Sequence, residues 1–200
     1  MKKIIIPILA LAIVSFTVID DKLTDAERLV AMTELTTTHD RLLKTIDGLS
    51  AEQLNFKASP ESWSVAENTE HLAISETNIF GMLKKSLKSP ADPSKRADVK
   101  MTDEQILAMI ADRTNKVKTS KPFEPTGKYG SHSAAVKEFK TTRVNHIKYI
   151  ATTKDDLRNH YSELPVGTVD AYQVLLFMSA HTERHILQIE EVIANANFPK

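Results

Sequence analysis

A chain of 200 residues with 42% hydrophobic and 26% charged residues has the composition of an ordinary soluble domain, neither disordered nor polytopic in a membrane. Its 26 Lys and Arg balance 26 Asp and Glu with no basic stripe, so the electrostatic footprint by which proteins neutralise nucleic-acid phosphates is missing and no nucleic-acid partner is expected. The lack of cysteine excludes disulfides, thiolate nucleophiles, Cys-ligated zinc, iron–sulfur clusters and a lipidated N-terminus, leaving His, carboxylates, hydroxyls, Arg and Lys for any chemistry.

Met1-Lys2-Lys3 is followed by the nearly apolar run Ile4 to Ile19 and then by Asp20-Asp21, the layout of a secretory signal. The run carries Pro7 and is shorter than the roughly 20 apolar residues that span a bilayer. Residues 1–20 are therefore expected to be a cleaved signal peptide, with N-terminal anchoring as the alternative. The remainder, 21–200, reads as one exported domain with no stable membrane span.

Beyond Asp21, glycine is scarce, proline is clustered and apolar residues return every three or four positions, which predicts helix nearly throughout. A first helix is expected from Thr24 to Ile46, with Leu29, Met32, Leu35, Leu42, Leu43 and Ile46 inward and Gly48 ending it. A second opens at Ser64 with Glu67 three residues on, a capping box, and continues through Leu72, Ile79 and Leu83 toward Ser89-Pro90. A shorter helix from Thr102 to Lys118, capped by Thr102 with Gln105, reads as an insertion between bundle helices. Long helices from Ser133 to Lys154 and from Val169 to Asn195 follow, separated by a break at Pro165-Val166-Gly167. The expectation is all-α: a four-helix bundle with an additional short helix in the middle connection.

Candidate chemistry concentrates in the last helix, which reads Phe177-Met178-Ser179-Ala180-His181-Thr182-Glu183-Arg184-His185. His181 and His185 lie one turn apart on the apolar stripe of Val174, Met178, Ile189 and Val192. Buried imidazoles need partners; a shared divalent metal is one solution, and bonds to neighbouring helices or water are the other. Glu183 follows His181 by two residues and points away, which excludes the His-Glu-x-x-His protease arrangement. No Glu-x-x-His tetrad, Cys-x-x-Cys-His, phosphate-binding glycine loop or Gly-x-Ser-x-Gly elbow is present, so di-iron, c-type haem, nucleotide and serine-hydrolase readings fall away. A third ligand must come from another helix, and His71, bordering the inward stripe of the second, is available.

The run Ser62 to Leu72, with Trp63-Ser64 at the helix start and His71-Leu72 two turns on, resembles the second bundle helix of the DinB/YfiT-like superfamily. The segment His181-Thr182-Glu183-Arg184-His185 followed by Gln188-Ile189, preceded by Pro165-Val166-Gly167 and Tyr172, is similar to that family's last helix. The resemblance spans residues 24 to 195, with specific motifs in these two segments. It implies a four-helix protein holding one divalent metal, zinc or nickel, on His71, His181 and His185, with water at an open position. The function expected on this reading is metal-dependent hydrolysis of a small-molecule substrate, with thiol transfer, known for some members of the family, or a non-catalytic metal-binding or interaction bundle as alternatives. The export-like N-terminus and the long middle connection depart from the family pattern, and export would separate the chain from cytosolic thiols.

Around these histidines, Glu67 reads as a helix cap that could also orient a ligand ring, Arg184 as an ion-pair partner or anion holder, and Gln188 as a hydrogen-bond donor to the site or an interface filler. Trp63 reads as a core lid at the helix entrance. His39 and His146 are expected at the surface or bundle edge, and His132 and His160 in or near loops. A homodimer is compatible with this reading.

Overall fold

The computed structural model describes residues 23–200. The apolar stretch read as an export signal lies outside the described residues. Among these, no helix is long and apolar enough to cross a membrane.

Among the described residues, six α-helices and one β-ribbon follow in order: α1 Asp25–Ile46, α2 Ala51–Asn55, α3 Val65–Ser86, α4 Asp103–Ala111, α5 His132–Thr152, β1 Tyr161–Leu164, β2 Gly167–Asp170 and α6 Ala171–Ile193. The starts are set by side-chain caps. Thr24 with Glu27, Ser50 with Gln53, Ser64 with Glu67 and Thr102 with Gln105 each form a reciprocal capping box, while Ser131 and Asp170 cap α5 and α6. The fold is a four-helix bundle of α1, α3, α5 and α6. Both α1 and α3 pack against α5 and α6, so α1 faces α3 across the bundle, and α4 lies along α6. The insertion expected in the middle connection is thus an integral layer, burying Ile106 and Ile110.

Three local expectations need correction. Leu29 is exposed, because α1 buries the stripe Ala31, Leu35, Thr38, Leu42 and Ile46, and Leu29 points about 200° away from Ala31. Helix α4 stops at Ala111 rather than running to Lys118: the Asp112 carboxylate accepts from the Thr114 N–H at 2.8 Å and from its hydroxyl, a local turn that competes with helix. The break before α6 is a two-residue hairpin turn in an antiparallel ribbon pairing Tyr161 with Asp170 and Leu164 with Gly167. Gly167, at φ +108°, supplies the backbone angle other residues avoid.

The core has two apolar clusters with a polar layer between them. One gathers Leu35, Ile79, Ile150 and Met178; the other gathers Leu42, Leu72, Phe139 and Ile186. On every bundle helix the intervening inward position is polar: Thr38, Glu76, Arg143 and Thr182, all buried. Arg143 binds both Glu76 oxygens at 2.7 Å, the Leu35 carbonyl at 3.1 Å, Thr38 at 2.9 Å and Thr182 at 2.7 Å. His146, expected near the surface, is 7% exposed, bonds Glu76 through Nδ1 at 2.8 Å and stacks on Phe80. Burial pushes the Glu76 carboxyl up, but Arg143 and His146 outweigh it and hold the group at about 2. Because one guanidinium ties all four helices together, this layer fixes how α3 and α6 stand relative to one another, and hence the site between them.

Candidate metal centre

His71 on α3 is five residues before Glu76, and His181 on α6 adjoins Thr182, so both stand beside the polar layer. Closure of the bundle brings them together with His185. The Nε2 atoms of His71 and His181 are 3.2 Å apart, and one nitrogen from each of the three rings falls within 4.8 Å of the others. His71 and His185 are buried, whereas His181 is half-buried, the least buried of the three.

Two rings are committed to one tautomer by their outer nitrogens. His71 Nδ1 lies 2.6 Å from the Phe123 carbonyl, which can only accept, so this nitrogen carries the proton and Nε2 keeps its lone pair. His185 Nδ1 lies 3.0 Å from Asn68 Oδ1, and Asn68 is itself oriented by its Nδ2–H donating to the Ser64 carbonyl at 2.9 Å. His185 thereby also turns its Nε2 inward. Aromatic rings close the sides: Trp63 packs on His71 at 4.9 Å and His185 at 5.9 Å between centroids, and Phe177 stacks on His181 at 5.9 Å. Ser75 Oγ stands 3.4 Å from His71 Nε2.

Burial dominates the electrostatics. It pushes His71 down to about 4 and, with the neighbouring His71 charge, His181 down to about 3; His185 also falls well below the usual imidazole range through burial and then the charges of His181 and His71. The rings are neutral at pH 7, the state a metal ligand requires. A tetrahedral zinc with nitrogen bonds of about 2.0–2.1 Å places adjacent ligand atoms roughly 3.3 Å apart, close to the observed His71–His181 spacing. Three converging neutral imidazoles, two of them with a backbone or amide partner on the far nitrogen, are a donor set that fits one divalent ion.

Other candidate residues stand elsewhere. Glu67 caps α3 by accepting from the Ser64 N–H and pairs with Lys57 at 2.7 Å. Arg184 donates to the carbonyls of Asp112 and Asn115, and Gln188 accepts from Arg113 at 3.2 Å. The groups on the outer nitrogens of His71 and His185 are the Phe123 carbonyl and Asn68, neither of which is a candidate in the sequence reading. Asn68 had a signal: with Ser75 it occupies the inward 65-68-72-75-79 spacing of α3, where an apolar side chain is the default. A backbone carbonyl from a remote turn has none. Trp63 is a lid, as expected, and the surface it covers is two of the histidines.

A four-helix bundle with three histidines converging between α3 and α6 defines the class of protein. The family model described as the DinB superfamily matches residues 34–189, and the chain belongs to that superfamily. It is 30% identical over 148 residues to the uncharacterized protein YuaE of Bacillus subtilis (strain 168), covering 74% of this chain and 87% of that protein. Its fold is similar to a Bacillus subtilis structure described as "YfiT from Bacillus subtilis is a probable metal-dependent hydrolase with an unusual four-helix bundle topology", at a TM-score of 0.58 and 16% identity over 86% of this chain and 88% of that one.

Proposed function

We propose that the protein is a metal-dependent hydrolase of small-molecule substrates, with His71, His181 and His185 holding one divalent ion, zinc or nickel. The observation that carries the reading is the convergence of three ring nitrogens within 4.8 Å while the far nitrogens of His71 and His185 are occupied by the Phe123 carbonyl and Asn68. The description of the YfiT structure as a probable metal-dependent hydrolase supports it. An ion held by three imidazoles with an open position acidifies water and polarises a substrate carbonyl.

The chain's own residues divide the remaining work. His71 and His185 are fixed donors in a dry wall formed with Trp63, whereas half-buried His181 borders the side from which water and substrate enter. Ser75, near His71 Nε2, is placed to accept or donate a hydrogen bond at that wall. Titration calorimetry with zinc and with nickel tests the ligand set. One ion should bind per wild-type chain, His181→Ala and His185→Ala should abolish binding, and His71→Ala should weaken it severely, with His39→Ala and His160→Ala unchanged. Wild-type affinity in His71→Ala removes the third ligand; no binding of either metal by the wild type removes the proposal. Hydrolysis of a panel of small esters and amides, lost on chelation and restored by the bound metal, separates an enzyme from a metal-stapled bundle.

A further inference from the structure

Residues 112–131, between α4 and α5, contain only a 3-10 turn, Lys121–Phe123, and are mostly exposed. Their attachments trace a path across the seam in which the three histidines meet. On the α6 side, Arg184 holds the Asp112 and Asn115 carbonyls, and Arg113 bonds Gln188 and pairs with Glu191 at 2.6 Å. On the α3 side, Asn78 donates to the Pro122 carbonyl at 2.9 Å, and Glu70 accepts from the Gly127 and Lys128 N–H groups at 3.0 and 2.5 Å. Between these anchors the Phe123 carbonyl accepts from His71 Nδ1, with the Phe123 side chain packed against the core.

We propose that residues 112–131 form a strap whose seating over the α3–α6 seam is coupled to metal occupancy through the hydrogen bond from His71 to the Phe123 carbonyl. The inference rests on the metal-binding reading and adds a regulatory element to it. Coordination at Nε2 withdraws electron density from the imidazole and makes Nδ1–H a stronger donor, and the carbonyl in turn makes the ring a better ligand and holds it in the metal-binding tautomer. Linkage requires both effects to be equal: the factor by which seating raises metal affinity is the factor by which metal favours seating. A segment with few buried side chains and scattered anchors has low local stability, so a modest bias moves it. Arg184 and Gln188, singled out in the last helix as candidate site residues, act in this picture as moorings.

Hydrogen exchange of the full chain tests the coupling without reference to activity. Zinc should slow the amides of residues 114–130 by about tenfold, while α5 exchanges as before. In the variant Glu70→Gln/Asn78→Ala, which loosens the strap without altering a histidine, zinc affinity measured by calorimetry should fall by about tenfold and strap protection by zinc should diminish. A wild type that binds one zinc ion with unchanged strap exchange overturns the inference and leaves the metal site standing, as does the variant binding zinc like the wild type. A wild type that binds no zinc overturns the metal reading itself, a separate and recognisable result.

Discussion

Replacing Asn68 by Leu removes the single acceptor from His185 Nδ1 while roughly keeping side-chain volume. Asn68 is fully buried and His185 is 7% exposed, so water cannot readily take the vacated role. An imidazole N–H left without a partner in such surroundings costs roughly 1–3 kcal/mol. The ring is also released to adopt the opposite tautomer, in which Nε2 carries the proton and cannot bind a metal. Removing an outer partner of a metal-binding His typically weakens metal binding 10–100-fold, or about 1.4–2.7 kcal/mol. The bond from Asn68 to the Ser64 carbonyl is lost as well, which places part of the damage in the α3 N-terminus rather than at the site. Asn68→Asp separates the two: it keeps an acceptor for His185 but loses the donor to Ser64 and buries a charge. Zinc calorimetry paired with urea unfolding at pH 7 is the assay. Asn68→Leu should lose both affinity and stability, whereas Asn68→Asp should lose stability but retain much more of the affinity. Wild-type zinc affinity in Asn68→Leu would refute the reasoning that this amide sets the His185 tautomer.

Arg143→Met should destabilise the protein by about 3–5 kcal/mol in urea unfolding, because it strands the buried Glu76 carboxylate. The double change Arg143→Met/Glu76→Gln should recover part of that loss, and strictly additive effects would show that the pair is not coupled. The metal-free protein should lose stability as pH falls from about 6.5, since the unfolded chain protonates its histidines before the folded rings, held near 4 for His71 and 3 for His181, can follow. Each such ring contributes a slope of up to about 1.4 kcal/mol per pH unit, and Glu76, held at about 2, adds to the loss once pH drops below the usual carboxyl range; a flat stability profile between pH 6.5 and 4.5 would contradict this. The bundle should keep its helical circular dichroism after chelation, with metal raising the melting temperature, because both apolar clusters are complete without an ion. A random-coil spectrum after chelation would show otherwise.

The helices were legible in the sequence because their information is local. Thr24, Ser64 and Thr102 satisfy backbone donors within three residues, and apolar side chains returning at helical spacing identify an inward stripe before any partner is known. The pairing of His181 with His185 is likewise local, a consequence of four residues making about one turn. Adding His71 took the resemblance of its flanking residues to a known family, since no spacing within one helix says what another helix will bring. Only the tertiary structure decided the rest. Burial of His146, Glu76 and Arg143 depends on four helices closing at the same height, and charged side chains of this kind are stable inside only as a mutually bonded group. Asn68 and the Phe123 carbonyl acquire roles solely by standing against histidine nitrogens 117 and 52 residues away along the chain. Arg184 is a site residue by sequence neighbourhood and a mooring of the 112–131 segment by structure. A helical position fixes where a side chain emerges, whereas what it meets there depends on where the rest of the chain packs.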